Sequence, residues 1–184
     1  MANLILNGST SGSVTISSPA VSGTTTLTLP TTSGTVLTNG TNTNFPSGSV
    51  LQVVNATYST ASSTTSTSFV DSGMSATITP SSSSNKIFAL VNISRADTSA
   101  ADRDIYFTIY RNSTNLGGGS SSALCYLNAV SSRVLIPVSM SVLDSPSTTS
   151  STTYKVYFYS GSGGSVTINN AAYSSIITLM EIKA

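Results

Sequence analysis

The sequence predicts an all-β protein, with an N-terminal stem of short β repeats leading into a β-sandwich head. Three observations carry that expectation. The 184 residues include 39 Ser and 28 Thr, both poor helix formers, and no stretch sustains a 3.6-residue apolar period. The apolar 39% of the chain is rich in Val, Ile, Leu and Tyr, several of them strand formers, which argues for a folded core rather than disorder. Apolar residues also alternate with hydroxyl residues in segment after segment, the period of a strand with one buried face.

The stem comes first. No charged side chain occurs before Asp71, and within that stretch the dipeptides Ser11-Gly12, Ser22-Gly23 and Ser33-Gly34 mark an 11-residue repeat, SGSVTISSPAV, SGTTTLTLPTT, SGTVLTNGTNT. Pro19 and Pro30 share one repeat position, and Ile16 and Leu27 share another. Each unit reads as a turn, about five alternating residues and a Pro or Asn-Gly stop. Such a unit buries one narrow face, so the repeats are expected to stack against identical repeats of neighbouring chains or against a partner. Asn39 to Gly48 (NGTNTNFPSG) reads as a joint, which gives a stem over residues 1–48 and a head over 49–184.

In the head, strands are expected over 50–54, 66–70, 75–79, 86–95, 104–111, 123–129, 133–143, 152–159, 165–169 and 175–182. Ile87, Ala89, Val91 and Ile93 form one inward set, Ile105, Phe107 and Ile109 another. Val134, Ile136, Val138, Met140 and Val142 form a third, and Val156 and Phe158 a fourth. The opposite faces carry Phe88 and Leu90, Tyr106 and Tyr110, Tyr157 and Tyr159, Ile177 and Leu179. Faces so apolar are expected to meet symmetry mates, because a two-layer sandwich covers only one side of each sheet.

Composition excludes several function classes. Only 7% of residues are charged, against about a quarter in a typical domain. With no His, neither Ser-His-Asp nor Cys-His catalysis nor a His-containing zinc site can form. The single Cys125 rules out intrachain disulfides and reads as a small buried hydrophobe. A net charge of +1 offers no field for a phosphate backbone, so no nucleic-acid partner is expected. No cofactor is expected, and no segment is apolar over the roughly 18 residues that span a bilayer. The opening Met1-Ala-Asn-Leu-Ile-Leu-Asn7 lacks the features of a signal peptide, so synthesis in the cytoplasm is expected, with release by lysis.

Two stretches resemble a known group of proteins. Residues 8–38 (GSTSGSVTISSPAVSGTTTLTLPTTSGTVLT) and 50–94 (VLQVVNATYSTASSTTSTSFVDSGMSATITPSSSSNKIFALVNIS) are similar to recurrent segments in structural proteins of tailed bacteriophages, especially tail fibres of marine and cyanobacterial phages. The resemblance implies a homotrimer with a jelly-roll-like tip on a thin stem, attached to a virion, the tip presented to the host. The function expected is therefore a non-enzymatic virion protein, a tail fibre or spike that docks to other virion proteins through residues 1–40. The alternative is a capsid decoration protein or head fibre that reinforces the shell. A cellular carbohydrate-binding module fits less well, given the missing signal peptide and the absence of Trp.

The densest polar cluster is Arg95, Asp97, Asp102, Arg103, Asp104 and Arg111. It reads either as a saccharide-binding rim, with Tyr106 and Tyr110 offering ring faces, or as loop and inter-subunit ion pairs, and the second reading is preferred because such pairs are common. A glycosidase pair from Asp102 and Asp104 is disfavoured, since both fall in one short loop without an aromatic cleft. Gly117 to Ser122 lacks the Lys and the helix of a phosphate loop. The candidate receptor or subunit contacts are Arg103, Tyr106, Tyr110, Arg111, Tyr157 and Tyr159. Neutral hydroxyls and Tyr suit a host surface polysaccharide better than nucleic acid or an anionic membrane.

Overall fold

Alternation decides which side of each strand turns inward, and in the computed structural model, which describes residues 3–7, 9–17, 31, 45–169 and 173–184, strands built that way account for every regular element. The chain divides into two compact units, Met1–Val36 and Leu37–Ala184. In the first, β1 (Asn3–Asn7) pairs antiparallel with β2 (Ser13–Ser17), joined through Gly12 at φ 78°, a conformation glycine adopts without a Cβ penalty. β2 is the strand of the first repeat copy. The second and third copies lie outside the described residues, apart from Thr31. Ile5 and Leu6 are consecutive, so they point to opposite faces of the hairpin, and both are more than half exposed.

The second unit is a sandwich of antiparallel strands. Its elements are β3 (Val50–Tyr58), β4 (Ser62–Thr64), β5 (Val70–Ile78), β6 (Lys86–Asp97), β7 (Arg103–Arg111), β8 (Thr114–Asn115), β9 (Cys125–Ala129), β10 (Leu135–Asp144), β11 (Thr152–Ser160), β12 (Val166–Ile168) and β13 (Ser175–Ile182). One sheet runs β3-β13-β6-β10, and the short β4-β12 ladder joins β6 beyond the end of β13, through Thr167 opposite Asp97. The other runs β5-β11-β7, with β9 and β8 sharing the far edge of β7. Followed along the chain, the long strands pass between the sheets in the order of a jelly roll. The ends of the sandwich meet: Gly48 N donates to Lys183 O at 2.8 Å, and Lys183 N donates to Ser49 O at 2.9 Å.

The core is the set of inward faces. Ile87, Ala89, Val91 and Ile93 of β6 meet Ile105, Phe107 and Ile109 of β7 and Tyr154, Val156 and Phe158 of β11, and all are buried. Three expectations need correction. Ile177 and Leu179 face inward and are fully buried, because they stand opposite Val91 and Ala89 of β6 in the ladder. The outward residues of β13 are Ile176, Thr178, Met180 and Ile182. On β10 a bulge between Ile136 and Val138 shifts the alternation, so Ile136 turns outward at 42% exposure while Val138 and Met140 stay buried. The strand expected at 66–70 is not strand through Phe69; β5 begins at Val70, takes in the segment expected at 75–79 as far as Ile78, and crosses Ser72-Gly73 by a bulge instead of a turn. Gly73 supplies φ 85° there, its N–H is held by Asp71 Oδ1, and Ser72 Oγ donates to Val156 O in place of a ladder bond.

The outer face of the first sheet is apolar along one row. Val53, Met180, Phe88 and Leu143 are successive cross-strand partners on β3, β13, β6 and β10. Val53 is 57% exposed and Leu143 is 53% exposed.

Candidate functional site

The period of two that sends Ile105, Phe107 and Ile109 inward sends Asp104, Tyr106 and Tyr110 to the outer face of the second sheet, and β11 does the same with Tyr157 and Tyr159. Register then brings the rings together. Tyr159 stands directly opposite Tyr106, and their rings stack at 4.5 Å with 3° between planes. Tyr157 and Tyr110 are diagonal neighbours and stack at 4.0 Å. Phe69 meets Tyr159 edge-on at 4.7 Å and Tyr110 at 6.3 Å, bridging the two stacks. Tyr126 of β9, opposite Tyr106 in the ladder, adds a ring 4.7 Å from it. The result is one aromatic row across three strands. Burial pushes the Tyr106 phenol up, and Tyr126, Tyr159 and Asp104 push it the same way. Burial and Asp104 do likewise for Tyr159.

Stacking changes what these rings can offer. Tyr106 is flanked by Tyr126 and Tyr159, and Tyr110 is stacked by Tyr157, so the open ring faces expected at Tyr106 and Tyr110 are largely covered by other rings. The exposed ring is that of Tyr126, at the edge strand, 49% exposed. Sequence reasoning missed Tyr126 and Phe69. The signal for Tyr126 was the alternation of β9, where Leu127 and Ala129 are buried and Tyr126 and Asn128 therefore point outward.

The charged residues go elsewhere. Arg111 Nη1 reaches both carboxylate oxygens of Asp144, at 2.7 and 2.9 Å, and Ser145 O at 3.2 Å. Asp144 also accepts the Tyr154 hydroxyl at 2.7 Å, and that phenol is raised by burial first and then by the carboxylate. Arg111 is thus a tie between β7 of one sheet and β10 of the other, separate from the aromatic row. Asp97 accepts Arg95 Nη2 at 2.8 Å, Ser99 N at 2.9 Å and Arg133 Nε at 2.7 Å, with a second bond from Arg133 Nη2. The Arg133 bonds hold its carboxyl well below the usual carboxylate range against the opposing effect of burial, and Arg95 and Ser99 add to them. Ion pairing therefore accounts for Arg95, Asp97 and Arg111: Arg95 and Asp97 pair within the sequence cluster, and Arg133 and Asp144 join from outside it. Arg103 makes no ion pair among the described residues, and its guanidinium packs against Gly164. Asp102 is exposed with φ 55°, and Asp104 accepts a hydrogen bond from Asn128 Nδ2 at 2.8 Å.

Cys125 is half-buried, and burial raises its thiol. The loop from Gly117 to Ser122 is organised by Asn115, whose side chain accepts Gly117 N at 2.8 Å and donates to Ser122 O at 2.9 Å. Two shallow hollows, of about 150 and about 330 Å³, lie beside the β6-β10 ladder and away from the aromatic row. Among the described residues no three His, Cys, Asp or Glu side chains gather as metal ligands. The chain matches no known family model and no curated protein.

Proposed function

We propose that the chain is a non-enzymatic structural protein of a tailed-phage virion, a homotrimeric tail fibre or spike whose residues 1–48 dock to the particle and whose sandwich head contacts the host surface. The observation that carries this reading is the outward row Val53, Met180, Phe88 and Leu143, which runs across the four long strands of one sheet and leaves apolar area in water unless another copy covers it. The hairpin of β1 and β2 supports it at the other end of the sequence, because a two-stranded ribbon exposing Ile5, Leu6 and Ile16 is marginal alone and stable only when packed. Low charge supports it too, since adhesion by hydroxyls and aromatic rings needs no electrostatic field.

The test uses the purified full chain as a competitor. Added to host cells, it should reduce adsorption of the virion that carries it, and mild periodate oxidation of the cell surface should abolish that competition. Three heads on one stem raise apparent affinity by about 100-fold or more over a single site, so a monomeric preparation should compete far less well. If the full chain never competes, the host-contact role is wrong, and labelling of the capsid by antibodies to the chain would replace it with a shell-reinforcing role.

A further inference from the structure

We propose that the outer end of the aromatic row is a saccharide subsite, in which Tyr126, Asp104 and Asn128 take a neutral pyranose unit of a surface polysaccharide; this rests on the host-contact reading above. Tyr126 is the terminal ring, with Tyr106 on one side 4.7 Å away, and it stays half exposed. Asn128 follows two residues later on the same outward face of β9. Its Nδ2 donates to Tyr126 Oη at 2.6 Å and to Asp104 Oδ1 at 2.8 Å. Those two bonds use both amide hydrogens, fix the flanking groups relative to each other, and leave the amide oxygen as an acceptor.

Asp104 has no cation beside it. Among the described residues its Oδ2 receives no donor and it forms no ion pair, so one oxygen of this partly exposed carboxylate is free to accept from a ligand. The turn after β11 closes that side. Gly161 N donates to the Asp104 carbonyl at 3.0 Å, and a Cβ at Gly161 would fall 2.7 Å from Tyr106 Cε2 and 3.0 Å from Asp104 Cβ. Only glycine lets the turn come so close, and it forms a wall beside the carboxylate.

A ring face, a carboxylate oxygen free of protein donors and an oriented amide suit a pyranose, whose C–H face packs on an aromatic ring while its hydroxyls donate to the carboxylate and to the amide oxygen. One carboxylate without further acidic or thiol ligands does not suit a metal ion. A net charge of +1 does not suit a nucleic acid. The site is shallow, so each contact is weak and many copies are needed.

The experiment is saturation-transfer NMR on the full chain with the methyl pyranosides of glucose, galactose and mannose at millimolar concentration. At least one should receive saturation on its ring C–H protons. Its affinity should fall about tenfold in Tyr126→Ala, from loss of the ring contact, and about as much in Asp104→Asn, while Tyr126→Phe retains binding. Denaturation midpoints of the variants show whether the sandwich is intact; where Tyr126→Ala fails to fold, Asp104→Asn carries the test. No transfer to any of the three sugars, or undiminished binding by both variants, overturns the subsite. So does a site that binds lysine amide and none of the sugars. A subsite that fails while the unaltered chain still competes for host cells leaves the adhesive reading standing. A chain that never competes removes that reading while the NMR result stands on its own.

Discussion

Glu181 faces the interior at the end of the sandwich, fully buried and, among the described residues, without a cation. Its carboxylate is held by neutral donors: Gln52 Nε2 at 2.6 Å, Asn85 Nδ2 at 2.7 Å, Ser81 N at 2.7 Å and Ser81 Oγ at 2.8 Å. Burial pushes the carboxyl up, and the bonds from Asn85, Gln52 and Ser81 together outweigh it, leaving the group below its ordinary range. A folded pKa below the unfolded one stabilises the fold above the ordinary carboxylate range, and that contribution is lost as pH falls through the folded value. Asp97 acts in the same direction. Stability to denaturant should therefore hold from neutral pH down to about pH 4 and drop steeply below it. In Glu181→Gln the acid limb should be shallower, and stability at neutral pH should fall by about 2 kcal/mol, the worth of a charge-assisted bond set with one side removed. An acid limb identical to that of the unaltered chain would show that Glu181 is already neutral in the fold.

At the scale of the element, β11 shows how one strand serves two purposes. Val156 and Phe158 fill the core, whereas Tyr157 and Tyr159 stack on β7 outside it. Phe158→Ala should cost about 3 to 5 kcal/mol, as a core truncation does. Tyr159→Ala should cost less, and a double-mutant cycle with Tyr106→Ala, read by denaturant unfolding, should give a coupling of about 1 kcal/mol. A coupling near zero would mean that the two rings share a surface without stabilising it. These inward and outward sets were legible in the sequence because only one face of β6, β7 and β11 alternates cleanly. β13 was not legible, since Ile176, Ile177, Leu179, Met180 and Ile182 occupy both faces and only pairing with β6 selects one. Nor were the bulges at Gly73 and Pro137: the one at Pro137 breaks the alternation between Ile136 and Val138, while the one at Gly73 shifts the register against β11 and leaves the alternation of β5 intact. Four Tyr residues of the row, Tyr106, Tyr110, Tyr157 and Tyr159, could be read one by one, and Tyr126 was missed. Their mutual stacking could not be read, because it depends on register across β9, β7 and β11, and Asp144 and Arg133, which pair with Arg111 and Asp97, lie more than 30 residues away from them.

Across the whole molecule, the two outer faces differ in kind. The second sheet covers itself with its own stacked rings, while the first presents an uncovered row to water. Light scattering of the full chain should accordingly give about three times 18.8 kDa. Replacing Val53 and Leu143 together with Lys should yield a folded monomer, because both side chains are more than half exposed in the single chain and their removal opens no cavity. Leu179→Asp should instead unfold the sandwich, since it places a charge in the core. A Val53/Leu143 variant that keeps the mass of the unaltered chain would move the interface off this sheet. The paired bonds between Gly48, Ser49 and Lys183 carry a different consequence. A sandwich whose entry and exit are stitched together is a cassette: it can be spliced into a surface loop of an unrelated scaffold, or exchanged for another sandwich on the same support, without stretching either chain across the fold.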